Sequence, residues 1–224
     1  MPGYYAERLS AERLRACYDV APPRTRQYLE SEIAHVLERV SPSVSALEMG
    51  CGYGRVLRRL APRVQVVVGV DNALASLALA REHVAGAGEV RLAAMDAGRT
   101  AFRDGAFDLT ICIQNGISAF QVNPQVLMRE AVRITRSGGL VLFSSYSARF
   151  WEARLEWFEA QASHGLIGEI DRDATRDGVI VCRDGFRAVT VEAEGFRRLV
   201  EPLGLVAHLV EVDGSSLFCE IRVP

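Results

Sequence analysis

Several things are scarce in this chain, and each scarcity removes a class of function. Of 224 residues, 26 are basic and 28 acidic, giving a net charge of −2. No overall field gathers nucleic acid, and no nucleic-acid partner is expected. The arginines are spread out. One crowded stretch, Arg55, Arg58, Arg59 and Arg63, reads as a solvated helix face. No apolar run approaches the roughly 20 residues needed to span a bilayer, and the N-terminus lacks the basic-then-apolar order of a signal peptide. No membrane partner is expected, and a cytoplasmic location follows by default. The five cysteines (Cys17, Cys51, Cys112, Cys182 and Cys219) are odd in number and contain no C-x-x-C pair. The four histidines complete no zinc pattern, so thiols are expected reduced and no metal site is expected. Internal repeats and low-complexity segments are also missing. What remains is an ordinary globular composition, 49% apolar and 24% charged, long enough for one domain with a substantial core, or a core plus a small cap.

Periodicity divides the chain. Residues 5–19 read as a helix, the Pro22-Pro23 break follows, and a second helix covers about 24–40 on Leu29, Ile33, Val36, Leu37 and Val40. Strands and helices then alternate. Val44–Met49 is a strand, 53–61 a short helix, and Val64–Val70 a nearly continuous apolar strand of the kind covered on both faces. A helix over 73–85 turns Leu74, Leu77, Ala78 and Arg81 to one side. Val90–Ala94 and Phe107–Ile113 are strands. Asn123-Pro124 opens a helix to about Thr135, and Ser137-Gly138-Gly139 turns into a fifth strand, Leu140–Ser145. Repeated strand–helix–strand order implies a parallel sheet. A helix over 191–203, closed by Gly204, leads to strands Leu205–Val212 and Ser216–Arg222. These are joined by Asp213-Gly214, a turn that makes the pair antiparallel. Between them and the fifth strand lies extra chain, 148–189, with an aromatic helix (Phe150, Trp151, Leu155, Trp157 and Phe158) and short strands near 166–171, 178–183 and 186–190. It reads as a cap over the carboxyl edge of the sheet. His35 and His83 read as solvated.

The informative segment is Ala46–Arg55. Gly50, Gly52 and Gly54 alternate after an apolar run that contains Glu48, and the next strand ends on Asp71. Glycine permits a sharp turn and close backbone approach to a ligand, and the loop after a first parallel strand lies where α/β sheets bind ligands. The spacing is G-x-G-x-G rather than the dinucleotide G-x-G-x-x-G. A carboxylate inside a strand is costly as core filler; Glu48 organises a ligand's ammonium group or else forms a salt bridge.

Together these motifs resemble the cofactor loop of class I S-adenosylmethionine-dependent methyltransferases. The resemblance covers residues 44–145 by motif and the final helix and strands by topology. It implies a Rossmann-like α/β fold: a seven-stranded, mostly parallel sheet with one antiparallel strand and helices on both faces. A helical lid (1–43), a cofactor-binding core (44–147), a substrate cap (148–190) and a C-terminal helix with an antiparallel pair (191–224) make one domain. It also implies S-adenosyl-L-methionine as cofactor. Glu48, Gly50, Cys51, Gly52 and Gly54 would hold its methionine end. Asp71 would take the ribose hydroxyls, with helix capping as the alternative, and Asn72 would touch the adenosine or cap the helix. Asp96 and the Ala97 N–H would read the adenine, and Gln114 and Asn115 would line the cleft. Asp108 would order the entrance of the fourth strand, and Arg136-Ser137-Gly138-Gly139 would be structural. The loop after the fourth strand lacks the Asn/Asp-Pro-Pro-aromatic signature of amino-directed relatives. Because the methyl group comes activated, the protein need supply no nucleophile. Tyr146, His164, Glu169, Tyr4, Tyr5 and Tyr18 are the candidates for a base, and none is assigned. The expected activity is in-line methyl transfer to a small molecule. A non-catalytic cofactor-binding module, an NAD-dependent oxidoreductase, or another transfer from the same sulfonium are the alternatives. The aromatic cap helix fits an apolar acceptor or a homodimer contact.

Overall fold

The computed structural model describes residues 4, 8–120 and 122–224; the expectations for Tyr5 and for a helix over 5–7 lie outside the described residues. Helix α1 (Ala11–Asp19) precedes α2 (Pro23–Leu37). Proline suits the first helical turn, where its missing N–H has no partner to lose, so Pro22-Pro23 starts α2 rather than merely ending α1. From there the chain runs β1 (Ser45–Met49), α3 (Arg55–Leu60), β2 (Val66–Asp71), α4 (Leu74–His83), β3 (Val90–Ala94), β4 (Phe107–Cys112), α5 (Gly116–Ala119), α6 (Pro124–Ile134) and β5 (Thr135–Tyr146). The cap contributes α7 (Trp151–Ser163) and a two-stranded ribbon, β6 (Val179–Val181) with β7 (Arg187–Val189). Helix α8 (Ala193–Val200), β8 (Ala207–Val212) and β9 (Ser216–Arg222) finish the chain.

The seven-stranded sheet has the order β3-β2-β1-β4-β5-β9-β8. Strands β1 to β5 pair in parallel, and β9 alone runs antiparallel, against both β5 and β8. The chain order reverses at β1, which lies between β2 and β4; this switch point opens a crevice at the carboxyl ends of the strands. The hairpin β8–β9 closes on Asp213 and Gly214 with φ of 56° and 60°, the left-handed pair of a type I′ turn. One face of the sheet packs on α6 and α8, through Leu127, Met128, Phe196 and Val200. The other packs on α2, α3 and α4, through Ile33, Val36, Leu57, Leu60 and Leu77. Coverage on both sides is why β2 reads Val-Val-Val-Gly-Val. A third core joins the N-terminal helices to the cap, with Cys17 and Tyr28 packed among Tyr146, Phe150, Trp157 and Phe158. Lid and cap therefore share one apolar interior.

Some expectations need correction. On α4 the inward side is Ser76, Leu77 and Ala80, and Leu74 is 71% exposed; as the first residue of the helix, Leu74 lies off the stripe that packs on the sheet. The strand expected over 166–171 reduces to one bridge, Ile170 to Cys182. The helix over 191–203 tightens to a 3-10 turn at Glu201–Leu203 before the left-handed Gly204; Pro202 removes the N–H that an α-helix would use there. His35 is buried, with Nε2 2.7 Å from a Glu220 carboxylate oxygen. His83 is half-buried and sets its ring 5.4 Å from that of Tyr53. Asp108 does order the β4 entrance: Oδ2 accepts from the Ser45 N–H at 2.7 Å and from its hydroxyl at 2.9 Å.

Candidate functional site

The glycine loop leaves β1 and bends back onto β2. The N–H groups of Gly50 and Cys51 both donate to the Val70 carbonyl, at 2.8 and 3.0 Å. Gly50, Gly52 and Gly54 have φ of 75°, 52° and 84°, a region costly for any residue with a Cβ. Gly50 also lies against the Phe120 ring, so a side chain there would collide with it. Gly69 explains the one break in the β2 valine run: a Cβ there would come within 2.8 Å of the Cys51 sulfur. The loop can lie this close to β2 only because Gly69 has no side chain. Asp71, at the end of β2, fixes both sides of the turn. Its Oδ2 accepts from the Gly52 N–H at 2.9 Å and its Oδ1 from the Ala73 N–H at 2.8 Å. A carboxylate has about four lone-pair positions, so this capping leaves Asp71 able to accept from a ligand as well. Burial raises its pKa, against the backbone hydrogen bonds that lower it.

One cleft gathers most of the expected residues. Glu48, Gly50, Cys51 and Gly52 enter from the glycine loop, Asp71 and Asn72 from the end of β2, Asp96 and Ala97 from beyond β3, and Gln114 from beyond β4. Gly54 and Asn115 do not line it. Gly54 is the left-handed cap of α3. Asn115 points back into the sheet, where its Oδ1 accepts from the Ser145 hydroxyl at 2.7 Å. Gln114 and Asn115 both have φ of 58°, so the tight turn sends the two side chains to opposite sides. Asp96 Oδ1 accepts from the Gly98 N–H at 2.8 Å, which shapes its loop.

Two ionisable side chains in this cleft hold buried polar atoms without partners among the described residues. Glu48 is 5% exposed, and its Oε2 has no hydrogen-bond partner among the described residues. Burial pushes its carboxyl well above the ordinary carboxylate range, opposed by the nearby Arg55 charge. Arg55 is not the solvated residue its crowded neighbourhood suggests. Its Nε and Nη2 are buried without partners among the described residues. Its Nη1 is 3.4 Å from Glu30, and the guanidinium stands 5.1 Å from the Tyr18 ring centre. Buried polar atoms are almost always paired. An unpaired acceptor at Glu48 and unpaired donors at Arg55 suit a zwitterion, an ammonium for the one and a carboxylate for the other. The residues present therefore fit the methionine end of S-adenosylmethionine, and Asp71 and Asp96 offer acceptors along the same cleft.

The far end is formed by the lid and cap. Tyr18 donates its hydroxyl to Gln114 Oε1 at 3.3 Å, and Tyr146, Trp157, Phe158 and Gln161 close the wall. Of the base candidates, Tyr18 and Tyr146 are there. Burial raises both phenols, Tyr146 to about 12, so they hold their protons. Tyr4 contacts Asp184 and Phe186 of the cap. His164 caps α7 on the surface, and the exposed Glu169 pairs with Arg183. None of these three reaches the cleft.

Sequence reading missed Glu32. It is fully buried on α2, where it accepts from the Gln114 N–H at 2.7 Å through Oε2 and from the Ser216 hydroxyl through Oε1. Burial lifts its carboxyl to about 7, against those hydrogen bonds. The signal was legible: Glu32 stands inside the stripe Tyr28, Leu29, Ile33 and Val36, where a solvated acid has no place. The Arg55 signal was its position as the first helical residue after the glycine loop.

Comparison with known proteins agrees with this geometry. Residues 46–139 match a family model described as a methyltransferase domain. No curated protein matches the chain in sequence. Among solved structures, the PH0226 protein of Pyrococcus horikoshii OT3 superposes with a TM-score of 0.66 at 20% identity, over 92% of this chain and 94% of that one. The N-methyltransferase NodS of Bradyrhizobium japonicum WM9, in complex with S-adenosyl-L-homocysteine, gives 0.55 at 20% identity, over 87% of each chain. A SAM-dependent methyltransferase from Aquifex aeolicus gives 0.62 at 13%, over 94% and 98%. The fold, the glycine loop and the family match agree: residues 46–139 match a methyltransferase domain, and the chain has the Rossmann-like α/β fold of these solved structures.

Proposed function

We propose that this chain is an S-adenosylmethionine-dependent methyltransferase that acts on a small-molecule acceptor, enclosed between the lid and the cap. Bound S-adenosylmethionine supplies a methyl group already activated on a sulfonium; the chain's own residues bind, orient and exclude water. Glu48 takes the ammonium group and Arg55 the carboxylate. Asp71 accepts from the ribose hydroxyls while holding Gly52 and Ala73, Asn72 lies beside it, and Asp96 with the Ala97 N–H receives the adenine edge. Gln114 stands between cofactor and acceptor, its turn held from behind by Glu32 and Ser144. Among the described residues, no histidine or lysine lines the acceptor end and its phenols hold their protons, so catalysis rests on positioning. The small acceptor is supported by the covered cleft: α1 and α7 meet across it where Trp157 Nε1 donates to the Cys17 carbonyl at 2.8 Å. A macromolecular strand needs an open groove instead.

The observation that carries this reading is the set of buried atoms without partners among the described residues, Glu48 Oε2 with Arg55 Nε and Nη2. Calorimetric titration with S-adenosylhomocysteine tests it. Glu48→Gln and Arg55→Met should each weaken binding about 10- to 100-fold, the loss of one charge-assisted hydrogen bond of about 1.5–3 kcal/mol. NADH should give no heat. Unchanged affinity in both variants would remove the assignment. Incubation with methyl-labelled cofactor and a metabolite extract, read by mass spectrometry, tests the acceptor; label found only on protein or nucleic acid would refute a small molecule.

A further inference from the structure

We infer that the acceptor chamber selects an uncharged planar ring and rejects a cationic amine, an inference that rests on the methyl-transfer reading above. The sheet order separates the charges of the cleft. Its three carboxylates, Glu48, Asp71 and Asp96, come from the β1, β2 and β3 ends. The chamber lies toward β4 and β5 and beneath α7. On α7, Arg154, Trp157, Phe158 and Gln161 follow the i, i+3, i+4, i+7 spacing that puts them on one helix face. The acids of α7 are elsewhere: Glu152 and Glu156 are exposed, and Glu159 pairs with Arg172. Glu32, behind Gln114, is occupied by the Gln114 N–H and the Ser216 hydroxyl, so among the described residues no free carboxylate is at hand for an ammonium group.

The aromatic wall by itself could attract a cation. Here three of its rings, Tyr146, Phe158 and Tyr18, already carry a guanidinium. The Arg154 guanidinium stands 4.1 Å from the centre of the Tyr146 ring and 5.6 Å from that of Phe158, and Arg55 covers Tyr18. A further cation would meet the Arg55 charge at the cleft wall and that of the buried Arg154, which packs on the Tyr146 ring without lining the cleft; like charges repel strongly in so poorly solvated a space. What the chamber offers instead is neutral. Trp157 and Phe158 give flat apolar surface. Gln114 Nε2 is a buried donor with no partner among the described residues. Gln161, 3% exposed, lines the cleft with a side chain that bonds to none of them. Two carboxamides, each with N–H and C=O, match the edge of a ring bearing a hydroxyl, carbonyl or ring nitrogen.

The test is calorimetry on the full chain saturated with S-adenosylhomocysteine. 7-Hydroxycoumarin and 4-hydroxyquinoline serve as uncharged planar probes, tryptamine and phenethylamine as ammonium probes of similar size. The planar probes should bind at least about 10-fold more tightly than the amines. Gln161→Leu should weaken them about 5- to 30-fold, the scale of one lost hydrogen bond with its buried partner, with S-adenosylhomocysteine affinity unchanged. Amines binding as tightly as the rings, or no heat from either ring, overturns the inference. Failure of S-adenosylhomocysteine itself to bind is a separate result that defeats the cofactor assignment beneath it. The comparison of probes on the unsubstituted chain decides the matter even if the variant does not fold.

Discussion

At the scale of single residues, several buried polar atoms have no partner among the described residues, and they differ in meaning. Glu48 Oε2 and the Arg55 nitrogens face a cleft, where a ligand can satisfy them. The Tyr28 hydroxyl has no partner among the described residues either, but it lies in the lid–cap core with its ring 4.8 Å from Phe150 and 5.6 Å from Tyr146. Tyr28 does not line the cleft, so its hydroxyl carries a desolvation cost without return. Tyr28→Phe should therefore raise stability by about 1 kcal/mol, measured by urea denaturation, and leave cofactor affinity unchanged. A loss of stability would show that the hydroxyl has a partner, such as a bound water. Residue types alone could not sort these cases. Glu48 stood out because acids are rare in buried strands, whereas Tyr28 and Arg55 looked ordinary until their surroundings were known.

At the scale of elements, α2 is tied to the sheet by one carboxyl. Glu32 reaches from the helix to the Gln114 N–H after β4 and to Ser216 on β9. Gln114 and Asn115, both at positive φ, form a turn that costs of order 1–3 kcal/mol for each residue so held; Glu32 and Ser144 give the Gln114 N–H its acceptors. The Glu32 carboxyl is raised to about 7 in the fold, so between about pH 4.5 and pH 7 the folded state keeps a proton that the unfolded state has lost. With the unfolded state binding fewer protons, stability falls as pH rises through that window and levels off above it. Glu32→Gln imitates the protonated form, accepting from Gln114 through its oxygen and donating to Ser216 through its nitrogen. It should flatten that slope in thermal melts at pH 5 and pH 7.5. An unaltered slope would mean that Glu32 is ionised throughout. Element positions were mostly legible beforehand, because period-2 and period-3.6 patterns are local. The element ends were less so: Pro202 tightened the last turn of α8 to a 3-10 turn, and α4 began at Leu74 rather than at 73.

At the scale of the whole molecule, the cofactor cleft is closed by parts distant in sequence. The lid helix α1 is pinned on one side to α4, where the Ala11 N–H donates to Ser76 Oγ at 2.9 Å, and on the other to the cap, where Arg13 donates to the Leu166 carbonyl at 3.0 Å. Leu14 and Tyr18 of the same helix line the cleft. If cofactor exchange lifts this strap, bound cofactor should hold it down. A ligand present at 100 times its dissociation constant adds about 2.7 kcal/mol. At about 2–4 °C per kcal/mol for a chain of this size, S-adenosylhomocysteine should raise the melting temperature by about 5–10 °C. In hydrogen exchange the added protection should include α1. Protection confined to the glycine loop would argue that α1 is not a lid. No helix among the described residues is long and apolar enough to cross a membrane.

The sequence by itself determined the alternation of strands and helices, the antiparallel ending, the glycine turn and the carboxylates at the ends of β1 and β2. All of these depend on neighbours along the chain: side-chain periodicity, the φ freedom of glycine, the turn chemistry of Asp213-Gly214. Only the tertiary structure decided that Arg55 faces the cleft, that Asn115 turns from it, that Glu32 braces the turn behind Gln114, and that α1 and α7 meet over the acceptor end. Those facts depend on which groups from distant segments are left without water or partners once the sheet is covered, and burial of that kind is a property of the assembled fold.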